Sequence, residues 1–467
     1  MNLRYFVTAC VILAAALART QVTIPDPNFA AALEIAVPDA MNGDQLDPAH
    51  PSVAALDTLV AESMNIINVN GLEYFTGLTY LDLSDNFNIV LPSSFPALLN
   101  FLDLSYAGLT SLPALPSGLV QLNVGTNYGL NSLPPLPASI THLSIGSTGI
   151  SSLAGLPDGL LTLYVGNSAV TVIQDLPATL ELLDLWHSEG ISIVNLPDGL
   201  MHLGISQCAL TVWPTVIADL NALNSLVTSG NDWSSATIIL PPNLEVWGSD
   251  NSNISVLPDL PASLTYLDVY NNDIAVLPPL PPNLTFLSIA GSPISAPLDP
   301  VPSSLEYLDI GLTNIPELGV LPETLYYLDC TYCWMLTCLP NIPSGLAEVG
   351  MGGSSIQCLP SPLPPGVLAL EANPVWPPVC SNFDVYCAPA PYIAGRTYYD
   401  ANGNGVQDDG GTAMPFAQMR VDPGNIQFGT TDAGLFRAHV QPGSYTVSVV
   451  PGPYQTVTTA PQAAVYQ

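Results

Sequence analysis

The chain contains no lysine. Its 467 residues carry five basic side chains, all arginine, against 38 acidic ones, for a formal charge of −33. Charged residues are scarce as well, 9% of the chain against roughly 25% in an ordinary soluble domain. The imbalance is a shortage of bases, not an acid-coated surface. No basic residue lies between Arg19 and Arg396, so the clustered cations that grip nucleic acid or anionic lipid are missing. Both partner classes are excluded. Past residue 20 no apolar run approaches the ~20 residues that span a bilayer as a helix.

Apolar residues make up 48% of the chain, enough for a large core. The 47 prolines and 35 glycines fall short of the roughly 25–30% that marks disorder. Residues 1–18 read as a removable export leader: Arg4 is the positive start, Tyr5 to Leu17 the apolar stretch, and Ala16-Leu17-Ala18 the small-residue cleavage site. Cys10, in Val7-Thr8-Ala9-Cys10, is read as a passenger of that leader. A secreted or cell-surface product is expected.

The dominant signal is self-similarity. The pattern LxxLxL begins at Leu78, Leu99, Leu119, Ile140, Leu160, Leu180, Leu200, Leu223, Leu244, Leu264, Leu284, Leu305, Leu325, Leu346 and Val367, at steps of 20 or 21 with one of 23. Stretches such as Tyr80-Leu81-Asp82-Leu83 alternate apolar and polar residues, as a strand with one buried face does. One coil cannot bury its own apolar face, so stacking on its neighbours must stabilise it. All but the Leu78 and Leu223 units carry proline three residues before the first leucine, as in Leu156-Pro157-Asp158-Gly159-Leu160. Proline removes a donor and turns its predecessor away from helix, which predicts an extended return side without helices.

This register is that of leucine-rich repeats, and it resembles the short LPxxLxxLxLxxNxLxxLP repeats of Yop/IpaH-type bacterial effectors. The resemblance spans residues 78–372 and implies a β-rich solenoid of about fifteen repeats. Asparagine or cysteine fills the ninth position only at Asn86, Asn127, Cys208, Asn231, Asn272 and Cys333, so the interior asparagine ladder is expected to be broken. Residues 19–77, with Val22-Thr23-Ile24-Pro25-Asp26-Pro27-Asn28-Phe29 ahead of an alanine-rich helix, read as an amino-terminal cap. They are similar to the opening of internalin-like repeat proteins secreted by Bacteroidota.

Six cysteines, Cys330, Cys333, Cys338, Cys358, Cys380 and Cys387, crowd the last repeats and the linker at 373–391. In an oxidising compartment they read as a carboxy-terminal clasp. Cys338 and Cys358 hold the same Cys-Leu-Pro position in adjacent coils, and strands ~4.8 Å apart suit a disulfide. Cys380 with Cys387 is the next candidate pair. Cys208, Cys330 and Cys333 fall on interior positions and read as buried thiols, with zinc at Cys330-x-x-Cys333 as the sharper alternative.

From residue 392 the leucine period stops. Asp400, Asn402, Asn404, the backbone of Val406, and Asp408 form D-x-N-x-N-G-x-x-D, an oxygen-rich loop suited to calcium. Gly411 stands where an EF-hand has its bidentate glutamate, so an ion-free turn is the alternative. Gly395-Arg396-Thr397-Tyr398-Tyr399-Asp400 and Pro442-Gly443-Ser444-Tyr445-Thr446-Val447 resemble SdrD B-like or Cna-B-like modules. The resemblance implies a small β-sandwich over 392–467, truncated or complete, with structural calcium. The Lys-to-Asn isopeptide bond of some such modules is excluded by the missing lysine.

The concave strand face is where such solenoids take ligands. Its third positions include Tyr266, Phe286, Tyr307 and Tyr327 in consecutive units, with Tyr80 and Phe101 earlier; the fifth positions beside them include Asp268, Asp309 and Asp329, with Asp82 and Asp103. Aromatic rings beside carboxylates suit a glycan, or a protein or peptide presenting Lys or Arg. The alternative is that Thr-Tyr-Leu-Asp is the filler of this repeat, its rings packing on one another. His142 and His202 read as solvated histidines with no serine or cysteine nucleophile beside them, and no enzyme is expected. The sequence therefore reads as an extracellular binding or adhesion protein; a surface-layer or biofilm spacer without a defined ligand is the second reading.

Overall fold

The structure, a computed structural model of the 467-residue chain, describes residues 21–370, 377, 392–397, 417–422, 426–430, 435–439, 443–450 and 462–466. The export leader at 1–18, the calcium-loop residues Asp400, Asn402, Asn404, Val406 and Asp408, and the Cys380 and Cys387 pair lie outside the described residues.

Helix Pro27–Ala36 begins where proline can sit, at its first turn, and buries Phe29 and Leu33 completely. One Asp26 carboxylate oxygen caps it, accepting from the N–H groups of Asn28 and Phe29 at 2.9 and 3.0 Å. Its second oxygen accepts from Ile67 and Asn68 at 2.7 and 3.0 Å. A 3% exposed carboxylate thus has four backbone donors and ties the helix to the first coil. The parallel sheet starts inside the span read as cap: Thr58–Val60 pairs in register with Tyr80–Asp82.

Sixteen short parallel strands follow one another in chain order, in two compact units. The first holds the strands from Thr58–Val60 to Thr162–Tyr164 and the second those from Leu182–Asp184 to Leu368–Ala369. In every three-residue strand of this sheet the middle residue is buried, and in nine of them both neighbours are half-exposed, as at Tyr80-Leu81-Asp82 and Tyr307-Leu308-Asp309. The apolar residues at the first, fourth and sixth positions form the core; Leu264, Leu267 and Val269 are fully buried. Register is firmly set because a one-residue slip would turn every core side chain outward.

The prolines act through their carbonyls. Pro116, Pro137, Pro157 and Pro261 each accept the N–H of the residue three positions on, at 3.1–3.2 Å, closing a turn that delivers the first leucine. Proline can open such a turn because only its carbonyl is needed. In the 23-residue step the Leu223 N–H bonds Leu220 instead, at 3.1 Å, after a 3-10 helix at Thr215–Asp219. The return side is therefore not wholly without helix, and the extra residues are wound into that element. Buried Trp213 and Trp233, 5.2 Å apart edge to face, fill the same region.

Two recurrent devices join neighbouring coils, and a third shapes the turn within each. Asn231 donates to Ile205 and Thr228 carbonyls at 2.8 Å and accepts from the N–H groups of Cys208 and Leu210; Asn127 and Asn272 do likewise. Each asparagine serves the small ninth residue of the preceding coil, so the ladder works with gaps. Hydroxyls just before the first leucine, such as Ser139, Ser304 and Thr324, donate back to the previous coil's first-leucine carbonyl at 2.6–2.7 Å. The eighth position is left-handed in coil after coil: Asp85, Tyr106 and Thr126 have φ of 55, 54 and 58°, and Leu312 58°.

Beyond the solenoid the described strands are antiparallel. Tyr392–Arg396 pairs with Leu435–His439, and a four-stranded sheet runs Ile426–Gly429, Gln418–Asp422, Gly443–Val449, Gln462–Tyr466. The change from parallel to antiparallel pairing follows the loss of leucine periodicity.

Candidate binding surface

The strands place the third and fifth side chains of each unit on the exposed face, one column beside the other. In register, Tyr266 stands opposite Phe286, Phe286 opposite Tyr307, and Tyr307 opposite Tyr327. Their rings stack with centroids 4.0, 4.1 and 3.9 Å apart and planes within 12° of parallel. Tyr80 and Phe101 form a second such pair at 4.0 Å and 2°. Packing of the rings on one another is thus a fact of the column. A ring inside the stack has both faces covered and presents its edge and, for tyrosine, its hydroxyl. Neither a sugar nor a cation can lie flat over Phe286 or Tyr307.

The aspartates are built into the backbone. Asp268, Asp309 and Asp329 each accept the N–H two residues on, from Tyr270, Gly311 and Thr331, at 3.2, 3.0 and 2.8 Å. Asp82 and Asp103 do the same with Ser84 and Ser105, and also take those serines' hydroxyls at 2.6 and 2.7 Å. These Asx-type turns help to steer the chain off the strand, a role the sequence reading missed. The second carboxylate oxygen of Asp268, Asp309 or Asp329 has no such backbone duty.

Ser288, 4% exposed, lies between Asp268 and Asp309 in register, its hydroxyl within hydrogen-bonding reach of both carboxylates. Burial pushes Asp309 up to about 6, against the pull of the Gly311 N–H, with the charges of Asp329 and Asp268 adding to the rise. Asp268 is raised too, chiefly by burial. Burial raises Tyr307 and Tyr327, and the Tyr307 hydroxyl donates to that of Tyr327, which raises Tyr307 further. The strip is therefore acidic, half-buried and rimmed by hydroxyls.

One expectation is corrected. His202 does have a serine beside it: its Nδ1 lies 2.8 Å from Ser225 Oγ in the next coil. Burial lowers its pKa, with Asp184 pulling the other way, so it is not a solvated surface histidine. His142 is half-buried and bonds Thr141 at 2.8 Å. The N–H groups of Ser225 and Val246 beside this pair are spent in the ladder, on Met201 and Asn224, and so are not free to hold an oxyanion.

Cys208, Cys330 and Cys333 are fully buried thiols donating to the carbonyls of Leu185, Gly350 and Ile310 at 3.2, 3.1 and 3.0 Å. Burial raises Cys208 and Cys333 to about 11, so in the metal-free chain they are protonated thiols at neutral pH. No group of three or more His, Cys, Asp or Glu that could hold a metal occurs among the described residues. Cys338 is half-buried and Cys358 buried at 8%, in equivalent positions of adjacent coils. No helix among the described residues is long and apolar enough to cross a membrane.

Comparison with known proteins places this geometry. No protein-family model matches the chain, and no curated protein sequence matches it. Among solved structures, YopM from Yersinia enterocolitica is 30% identical over 65% of this chain and 67% of its own, with a TM-score of 0.55. A leucine-rich-repeat protein of Leptospira interrogans is 23% identical over 65% and 86%, with a TM-score of 0.52. The functional domain of InlJ from Listeria monocytogenes is 18% identical over 91% and 94%, with a TM-score of 0.51. The last two speak to the fold alone.

Proposed function

Because the chain belongs to the leucine-rich-repeat proteins, we propose that it is an extracellular, non-catalytic binding protein whose ligand strip runs from Tyr266 to Asp329. The observation that carries this reading is the coincidence, on consecutive strands, of stacked rings with half-buried carboxylates that each give only one oxygen to the backbone. Covered ring faces argue against flat stacking of a sugar there. Exposed hydroxyls and half-buried carboxylates suit Lys or Arg side chains of a protein or peptide, in charge-assisted hydrogen bonds. In a chain with a formal charge of −33 and no lysine, such a partner is also steered in by the overall field.

The closed stack favours a second reading, a rigid surface spacer in which the rings serve only to join coils. An array of extended peptides with Lys or Arg at varied spacing, probed with the purified chain, separates the two. Saturable binding that Asp309→Asn with Asp329→Asn abolishes supports the binding protein; no retained peptide at low salt leaves the spacer. Calcium in the 400–408 loop and a Cys338–Cys358 disulfide remain part of the proposal as structural reinforcements for life outside the cell. Calcium-dependent protection from proteolysis and non-reducing peptide mapping test them.

A further inference from the structure

The stacked column is not where the most accessible rings are. Phe87, Tyr106 and Tyr128, on the turns that follow the strands of the first three repeat units, are 61, 50 and 69% exposed. Phe87 and Tyr106 lie 6.3 Å apart and are tilted by 46°, so neither covers the face of the other. At the tenth position of successive units glycine alternates with two of these rings, in the order Phe87, Gly108, Tyr128, Gly149, while Tyr106 holds the eighth position of the unit between them. At Gly108, φ is +70°, and a Cβ would stand 2.9 Å from the Asn88 backbone nitrogen and 3.4 Å from the Phe87 ring. At Gly149 a Cβ would meet the Asn131 side chain. The glycines therefore leave the rings separated, where a side chain would fill the gaps.

Beside Phe87 runs a groove of about 480 Å³ between the first two repeats, lined by residues such as Asn88, Leu91, Pro92, Thr110, Ser111 and Leu112, within the range of small-ligand sites. Its lining holds no ionisable side chain. A cationic partner finds no carboxylate there, and an anionic one meets a chain of charge −33. An occupant matched to this edge is uncharged, with apolar C–H faces for open rings and hydroxyls for Asn, Thr and Ser.

We propose that the edge formed by Phe87, Tyr106 and Tyr128 with the Asn88–Ser111 groove is a second binding site, for an uncharged polysaccharide. Sugar C–H faces lie on the open rings, and sugar hydroxyls bond Asn88, Thr110 and Ser111. The site is distinct from the Tyr266–Asp329 strip and requires neither its rings nor its carboxylates.

The test is affinity electrophoresis of the full chain through gels containing hydroxyethyl cellulose, mixed-linkage β-glucan or galactomannan, with polygalacturonate as the anionic control. Retardation is expected in at least one uncharged polymer and not in polygalacturonate. Phe87→Ala with Tyr128→Ala should weaken it at least tenfold. Both residues are exposed, and an unchanged thermal midpoint confirms that the fold is kept. Tyr106→Gly is the second variant, since it removes a ring while relieving a φ of 54°; it too should lose affinity. Tyr307→Ala should bind the polymer as the unaltered chain does, so a failure of the strip leaves this site standing. Free migration in all three uncharged polymers, or full retardation of the double variant, would overturn the proposal.

Discussion

The Tyr307 ring lies 3.9 Å from the ring of Tyr327 and 9° from parallel with it, and the Tyr307 hydroxyl donates to its neighbour. Each ring stands on its own coil, so the pair joins two consecutive units through face contact and a hydrogen bond.

Tyr307→Ala opens the stack on both sides. Aromatic pairs contribute about 0.5–1.5 kcal/mol each beyond area burial, and Tyr307 makes two. The variant should lose about 1–3 kcal/mol in urea titration, while Tyr307→Phe, which loses only the hydroxyl donation, should lose about 1 kcal/mol.

Asp309 titrates at about 6 in the folded chain, against about 3.9 in an unfolded one. Its folded form holds the proton more tightly, so its contribution to stability is present below about pH 4 and is lost as pH rises through 6. Stability measured from pH 4 to 7 should fall less with pH in Asp309→Asn than in the unaltered chain. Affinity for a cationic peptide should run the other way, rising as pH passes 6. Equal slopes in both stability curves would contradict the burial described for this carboxyl.

The interior ladder predicts opposite outcomes for two polar residues. Asn231→Ala strands the N–H groups of Cys208 and Leu210 and the Ile205 carbonyl, and should cost about 3 kcal/mol or more at 1–3 kcal/mol for a stranded group; the Thr228 carbonyl keeps the Trp233 indole N–H. Ser292 is buried at 1% and its hydroxyl has no partner, so Ser292→Ala should be neutral or stabilising. Thermal midpoints of the two variants check both.

Leu312 holds φ of 58° on an exposed turn, a conformation that costs a non-glycine residue about 1–2 kcal/mol. Leu312→Gly should raise stability, or leave it level where the greater freedom of glycine in the unfolded chain offsets the relief. A loss above 1 kcal/mol would contradict it.

Much of the fold was legible. The LxxLxL register placed the repeat strands from Tyr80–Asp82 to Glu348–Gly350 at the third to fifth positions, and Pro three residues before the first leucine marked the turn in all but the Leu78 and Leu223 units. The left-handed eighth position was not legible, since Asp85, Tyr106, Thr126 and Leu312 share no side-chain chemistry and only the strand geometry imposes the turn. The double duty of Asp268, Asp309 and Asp329 was hidden as well, because an Asx turn and a ligand carboxylate look alike in sequence. The His202–Ser225 contact, by contrast, was there to be read: both are third-position residues of consecutive units, and the 23-residue step separated them only along the chain.

The central claim, that carboxylates beside the tyrosine stack take a cationic partner, is tested most directly by calorimetric titration of the full chain with the best Arg- or Lys-bearing peptide from the array. The titration is run at pH 7.5, with Asp309→Asn plus Asp329→Asn as comparison. A saturable isotherm that weakens with salt, and at least a tenfold loss of affinity in the double variant, is the predicted result. Equal affinities for the two proteins, with their folds intact, would contradict it.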